Sequence, residues 1–283
     1  MIDFHVHPLL VREMIEHHPQ LARAAREIFF IGNNFQPLET LLLELDVSGL
    51  QRAVLLPVET QRSRGLSIYT NQQIAELVST SDRLVGFASV DPLVAGSPDH
   101  LTHAIRDLGL RGLKLHPSAQ EFYPDDPAVY PLYEQATELG IPVVFHAGLS
   151  WAPKARLKYA HPSHFEDVAA DFPNLNIVLA HLGWPWVVDV VALALKYPNV
   201  YLDTSALYFD NPRDFLRFAM TQQVPLSVFE NSLRHQIVFG SNYPRVEIKN
   251  MAHEIRQLGF SEACLKLIFE ENARRLLGEN VRS

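Results

Sequence analysis

Sulfur is scarce in this chain. It holds one cysteine, Cys264, in 283 residues, which excludes an internal disulfide. Cys264 falls in the helical pattern CLKLIFEENARRLL, which predicts a buried thiol. There is no apolar run of membrane-spanning length, no basic segment followed by an apolar leader, and no low-complexity tract or charge block. Positive charge is also short: 24 Lys and Arg face 32 Asp and Glu, a formal net charge of -8. Such a surface does not favour nucleic acid or an anionic membrane as partner. With 47% apolar and 20% charged residues, the composition is that of an ordinary globular protein. The expectation is one domain over 1–283, cytoplasmic, acting on a small molecule.

What the chain does have is a repeat of apolar segments of strand length. They are IDFHVH (2–7), RAVLLPV (52–58), LVGFASV (84–90), LRGLKLH (110–116), IPVVFHA (141–147), LNIVLAH (175–181), NVYLDTS (199–205) and QIVFGSN (236–242). Helical patterns separate them, with Gly109 and Gly140 placed to end two of those helices and Ser97 placed to cap one. Near-continuous apolar strands alternating with helices predict a parallel sheet covered by helices, and eight such units predict a (β/α)₈ TIM barrel. The open-sheet rival needs a Gly-rich phosphate turn after an early strand, whereas HPLLVREMIEHH follows the first one. Residues 10–49 are long for one crossover and read as a helical insertion of two pieces, 10–29 and 36–48. The pattern SEACLKLIFEENARRLL beyond strand eight predicts an extra C-terminal helix.

Polar residues gather where the strands end, which in a barrel is the catalytic face. His5 and His7 end the first strand, Lys114 and His116 the fourth, His146 the fifth, His181 the sixth and Asn242 the eighth. Residues two apart share a strand face, so His5 with His7, and Lys114 with His116, point the same way. One strand-end histidine can simply satisfy a neighbouring backbone group, and for His116 both readings stay open. Several imidazoles at one mouth repel when charged and need partners when neutral, and a divalent ion removes both problems.

The set DFHVHP (3–8), RGLKLHP (111–117), VVFHAG (143–148), DFPNLNIVLAHLG (171–183), VYLDTS (200–205) and IVFGSNYP (237–244) resembles the metal-dependent amidohydrolase superfamily. The branch it resembles contains the aminocarboxymuconate-semialdehyde decarboxylase-like enzymes, and the resemblance covers nearly the whole chain. It implies one divalent metal, zinc or alternatively manganese, held by His5, His7 and His146, with His181 moving protons nearby. The strand-eight position normally carries an aspartate that approaches the metal and takes a proton. Here it is Asn242, which still offers the metal a carbonyl oxygen but is no base. Either an aspartate has been deliberately replaced or the natural protein carries asparagine. Lys114 matches a lysine that is carboxylated in some binuclear relatives, and related barrels commonly form homo-oligomers.

Three functions follow from the resemblance: hydrolysis of a lactone, amide or related metabolite by metal-activated water; metal-dependent decarboxylation of an aromatic or unsaturated acid; and a catalytically impaired barrel that binds a metabolite. Candidate substrate contacts are Trp151, Arg156 and Tyr159 after strand five, with Lys154 and Lys158. Trp184 and Trp186 follow strand six, and Tyr243 and Arg245 follow strand eight. A salt bridge to Glu247 is the rival role for Arg245. Glu59, Arg62 and Arg64 form a further polar wall after strand two.

Overall fold

The computed structural model describes residues 1–280 apart from 33, 153 and 207. Its strands are β1 (Ile2–Val6), β2 (Arg52–Leu55), β3 (Leu84–Gly86), β4 (Leu113–Leu115), β5 (Val143–Phe145), β6 (Ile177–Leu179), β7 (Val200–Asp203) and β8 (Ile237–Val238). All pair in parallel, in the orders β1-β2-β3 and β4-β5-β6-β7-β8. Single bridges close the circle: Ala88 with Leu113 joins β3 to β4, and Val6 with Tyr243 joins the end of β8 to β1. The backbone bonds Lys114 N to Ala88 O (2.7 Å) and Phe4 N to Phe239 O (2.8 Å) reinforce the two seams. The fold is the (β/α)₈ barrel. Each strand lies inside its expected segment and is shorter than it, because apolar residues stay buried beyond the hydrogen-bonded ladder.

Alternation divides the strand residues between two cores. Phe4, Val54, Val144, Val178 and Val238 fill the barrel, whereas Leu55, Leu113, Leu115, Val143, Phe145 and Ile177 face the helices. Lys114, between Leu113 and Leu115, therefore points inward. On β1 the register shifts between Asp3 and Val6, so the alternation breaks. Phe4 is in the barrel core and Val6 in the outer one, and His7 reaches the barrel mouth.

The insertion after β1 forms three helices, α1 (Arg12–His17), α2 (Gln20–Phe29) and α3 (Leu38–Ser48), where two pieces were expected. Pro19 separates the first two, since it cannot donate within a helix. Phe30 closes α2 in the left-handed region (φ 54°). Gly109 and Gly140 are left-handed as expected of helix-ending residues. Ser97 does not cap: it is the first helical residue, after Gly96. The last helical stretch runs through Glu262–Lys266, a π turn at Leu267–Glu271 and Asn272–Leu276, and its Ala273, Leu276 and Leu277 plug the barrel floor. Cys264 is buried.

Gly148 pins the β5 loop to the turn after β6. Its φ is +84°, and a Cβ there would lie 2.0 Å from the Trp184 carbonyl oxygen, which accepts Leu149 N at 2.9 Å. Gly148→Ala is therefore expected to destabilise the fold by more than about 2 kcal/mol, measured by urea unfolding. A change within a few tenths would show that the loop yields.

Candidate active site

Hydrogen bonds fix the tautomers of the mouth histidines. His5 is fully buried, and its Nδ1 donates to Asp203 Oδ2 at 2.7 Å. His7 Nδ1 donates to the Leu56 carbonyl at 2.8 Å. Both Nε2 atoms are thereby left as lone pairs, and they lie 3.2 Å apart. Neither ring relieves the clash by protonation: burial first, then neighbouring positive charges including Lys114, hold both pKa values well below 6.5. On β5 the sense is reversed. His146 Nε2 donates to the Leu149 carbonyl at 2.9 Å, so Nδ1 carries the lone pair, and burial pushes this ring down to about 3. Three unprotonated imidazole nitrogens at the mouth are the donor set that zinc takes readily.

The remaining polar groups have different duties. His116 accepts Ala119 N at Nδ1 (3.2 Å), so its Nε2–H faces Ser150 Oγ (3.3 Å) and it has no lone pair to spare. It stacks on His146 with centroids 3.9 Å apart and holds that ring in place. His181 takes a left-handed conformation (φ 60°) at the end of β6, which carries its ring into the cavity wall. Its Nδ1 donates to the Ser205 carbonyl (3.1 Å), leaving Nε2 as an acceptor. Asn242 is left-handed too (φ 66°), a conformation asparagine tolerates. Its Nδ2 donates to Ala206 O at 3.0 Å, which leaves the carbonyl oxygen Oδ1 for a cation.

Sequence reasoning missed the layer behind the histidines. Asp203 ends β7; its Oδ2 holds His5 and its Oδ1 accepts the amides of His181 (2.8 Å) and Ser205 (3.0 Å). His5, His181 and Asp203 bring ligand-type atoms within 4.8 Å of one another. The Ser205 hydroxyl occupies that convergence, 2.8 Å from His181 Nδ1, 3.3 Å from His5 Nδ1 and bonded to Asp203 Oδ1. This cluster is the hydrogen-bonded backing of the site, and the free lone pairs face the other way. Asp3 ties β1 to β8 by accepting His5 N and Ser241 N, each at 3.0 Å. The available signal was a carboxylate at the end of an apolar strand in VYLDTS, and another next to the first histidine in DFHVH.

Asp203→Asn tests the backing. An amide NH₂ opposite His5 Nδ1 would reverse the ring's tautomer and place the proton on Nε2, where the lone pair is needed. Metal affinity is expected to fall about 10–100-fold, read by equilibrium dialysis with elemental analysis. Unchanged affinity would remove Asp203 from the metal's support.

The cavity has a volume of about 30 Å³. Of the expected residues, His7, Lys114, His116, His146, Trp151, His181, Asn242 and Arg245 line it, together with Ile28, Phe29, Ser150 and Ala152, which were not foreseen. No carboxylate is among the described lining residues. Lys114 Nζ is buried with no partner among the described residues, and burial pushes it down to about 7. Arg245 Nε is likewise buried without a partner.

Several expected contacts lie outside this cavity. Arg156 gives its carbonyl to the Ser118 hydroxyl (3.0 Å). Tyr159 packs on Tyr123, with Lys158 over both rings. Trp184 stacks on Tyr208, centroids 4.6 Å apart. Tyr243 joins Leu10, Gln36 and Leu41 at a separate small pocket. Trp186 meets His161 at 4.6 Å. Arg245 bonds the Phe29 carbonyl rather than Glu247, which accepts Asn250 Nδ2. Arg62 pairs with Asp91 in the loop after β3 (2.6 Å) and Arg64 with Glu121 after β4 (3.6 Å), while Glu59 accepts Gln61 N (2.8 Å) within the loop after β2.

The chain resembles proteins of the same architecture along its whole length. A 2-amino-3-carboxymuconate-6-semialdehyde decarboxylase from Dictyostelium discoideum is 28% identical over 246 residues, 77% of this chain and 68% of that protein. Another match, to Protein fluG of Emericella nidulans, is 32% identical over 74 residues, and those residues span only 8% of that much longer protein. Among solved structures, an uncharacterised TIM-barrel protein from Bordetella bronchiseptica superposes with a TM-score of 0.75 at 24% identity, covering 98% of both chains. A candidate 2-pyrone-4,6-dicarboxylic acid hydrolase from Pseudomonas putida gives 0.68 at 20% identity, covering 99% of this chain and 98% of that one. The amidohydrolase family profile matches residues 2–278, and the chain is a member of the amidohydrolase family of enzymes.

Proposed function

We propose that this protein hydrolyses an ester, lactone or amide bond in a small organic metabolite, using one divalent ion held by His5, His7 and His146 beside the Asn242 carbonyl oxygen. The carrying observation is that each of the three rings has its other nitrogen committed to a backbone carbonyl or to Asp203. All three therefore keep a lone pair free, although the three nitrogens do not all lie within 4.8 Å of one another, so a shared ion would draw them together. Nitrogen donors favour zinc, with manganese the alternative. The ion, when bound, acidifies a water molecule and polarises a carbonyl group.

The protein's own groups then divide the work. His181 Nε2 receives the water proton, because the Ser205 carbonyl keeps Nδ1 as the donor. Asn242 accepts no proton and serves to orient. Lys114 and Arg245 give the cavity unpaired positive charge, which suits an anionic substrate.

Decarboxylation is the second reading, supported by the Dictyostelium relative's activity. It requires a donor that protonates carbon, and the bonded tautomer of His181 is an acceptor. A bound but unreacted metabolite, with Asn242 the cause, is the third.

Zinc- and manganese-loaded protein should be screened for acid release from lactones and amides and for carbon dioxide release from aromatic acids. Hydrolysis that falls about 100-fold or more in His181→Ala, with metal content unchanged, is the expected result. Carbon dioxide release without hydrolysis would replace this reading with the second, and metal binding without turnover with the third.

A further inference from the structure

The cavity roof is too low for a substrate. Its volume of about 30 Å³ holds about two waters, whereas metabolite pockets run to roughly 300–1,000 Å³. Part of the roof is the end of α2, where the Phe29 ring lies 4.7 Å from the His7 ring and 5.9 Å from the Arg245 guanidinium carbon. The Phe29 carbonyl accepts from Arg245 Nη2. An acid that pairs with Arg245 must displace this contact.

We infer that Arg245 is the carboxylate-reading residue of the site, and that the Phe29 carbonyl holds its place until an acid arrives, so that acid binding and release of the α2 end are one exchange. The inference rests on the reading above that this cavity receives substrate. An arginine grips a carboxylate side-on through two N–H groups, and Nε with one Nη is such a pair. Here Nη2 is bonded to a carbonyl with a single oxygen, and Nε is buried with no partner among the described residues. A carboxylate supplies both acceptors at once. Orphaned buried donors are costly, so the closed state carries a deficit that an acid removes and a neutral analogue leaves. Among the described residues the same cavity contains the unpartnered Lys114 Nζ and no lining carboxylate, so a substrate anion meets no like charge from them. Phe30, which ends α2 just beyond, is left-handed and 59% exposed.

Calorimetry with benzoate, phthalate and benzamide tests the inference in metal-free and zinc-loaded protein, alongside amide exchange of residues 25–31. The wild type should bind the carboxylates at least tenfold more tightly than benzamide, and exchange at 25–31 should speed up with carboxylate only. Arg245→Gln should lose that preference and exchange quickly at 25–31 without ligand. Arg245→Lys, which keeps the charge but not the fork, should fall between.

Failure of both carboxylates to bind wild-type protein, a preference that survives in Arg245→Gln, or exchange unchanged by carboxylate would each overturn the inference. If zinc does not bind at His5, His7 and His146 but the Arg245-dependent preference stands, the metal reading falls and this one remains. Zinc binding at those residues without the preference gives the reverse.

Discussion

Asn242→Asp is expected to raise metal-dependent turnover by about 10²–10⁴-fold, because a carboxylate beside the metal is a better proton acceptor than His181, whose pKa burial holds well below 6.5. The backbone is already suited to the change. Asn242 sits at φ 66°, its amide donates to His5 O (2.9 Å), and its carbonyl accepts Arg245 N (2.9 Å). None of these contacts involves the side chain, and aspartate tolerates the left-handed conformation as asparagine does. What changes is the tip. Nδ2 now donates to Ala206 O at 3.0 Å, and a carboxylate there would set oxygen against oxygen.

Without metal, the aspartate variant should therefore be less stable than the asparagine protein by about 1–3 kcal/mol. With metal the order should reverse, because the carboxylate gains a cation on its free side. The zinc-induced rise in thermal midpoint should be visibly larger for the variant. Turnover and midpoints measured on both proteins, with and without zinc, check the whole scheme. Equal turnover in two fully loaded proteins would show that strand eight is not where a base is missing.

The barrel was legible because its signal is redundant. Eight apolar segments, most of them carrying a polar residue at or near the end, leave little choice of architecture, and a strand shortened by three residues changes nothing in the count. The histidines were legible for the same reason. Tautomers were not, since they depend on acceptors such as Leu56 O and Leu149 O whose positions are set by other strands. Asp203 was hidden by its distance in sequence: it lies 198 residues from the ring it orients. Its motif was visible, but only the barrel brings β7 beside β1. The role of the α2 end was not legible, because nothing in FFIGN tells which carbonyl Arg245 will take. Loop residues such as Tyr159 and Arg156 carried the right chemistry for a mouth, yet local packing directs them away from it.

Mild acid should unfold the metal-free protein within about one to three pH units below 6.5. Five buried imidazoles, His5, His7, His116, His146 and His181, have pKa values driven below 6.5 chiefly by burial, His146 to about 3. In the unfolded chain each would titrate near its ordinary value of about 6.5. Below that pH the unfolded state therefore binds protons that the native state refuses, and stability falls by about 1.4 kcal/mol per pH unit for each ring. Asp3 works in the opposite direction. Burial pushes it up to about 7, so between there and its ordinary 3.8 the native state is the one that takes the proton. It offsets about one of the five rings. The net loss is then about 5 kcal/mol per pH unit once the histidines are well below their unfolded value, against a total stability of roughly 5–15 kcal/mol for a typical protein.

Lys114, held down to about 7, has lost its share between pH 10.5 and 7, before the histidines begin. Zinc should move the acid midpoint downward, since protons must displace the ion from His5, His7 and His146 before those rings can charge. Fluorescence of the three tryptophans, followed from pH 8 to 3.5 with and without zinc, records both midpoints. His116→Gln removes one buried imidazole that is not a ligand, so it should make the metal-free transition shallower while leaving the zinc-dependent displacement in place. A metal-free protein that stays folded to about pH 3.5 would mean that water reaches these rings, and the dry, lone-pair-lined mouth on which the metal site depends would not exist.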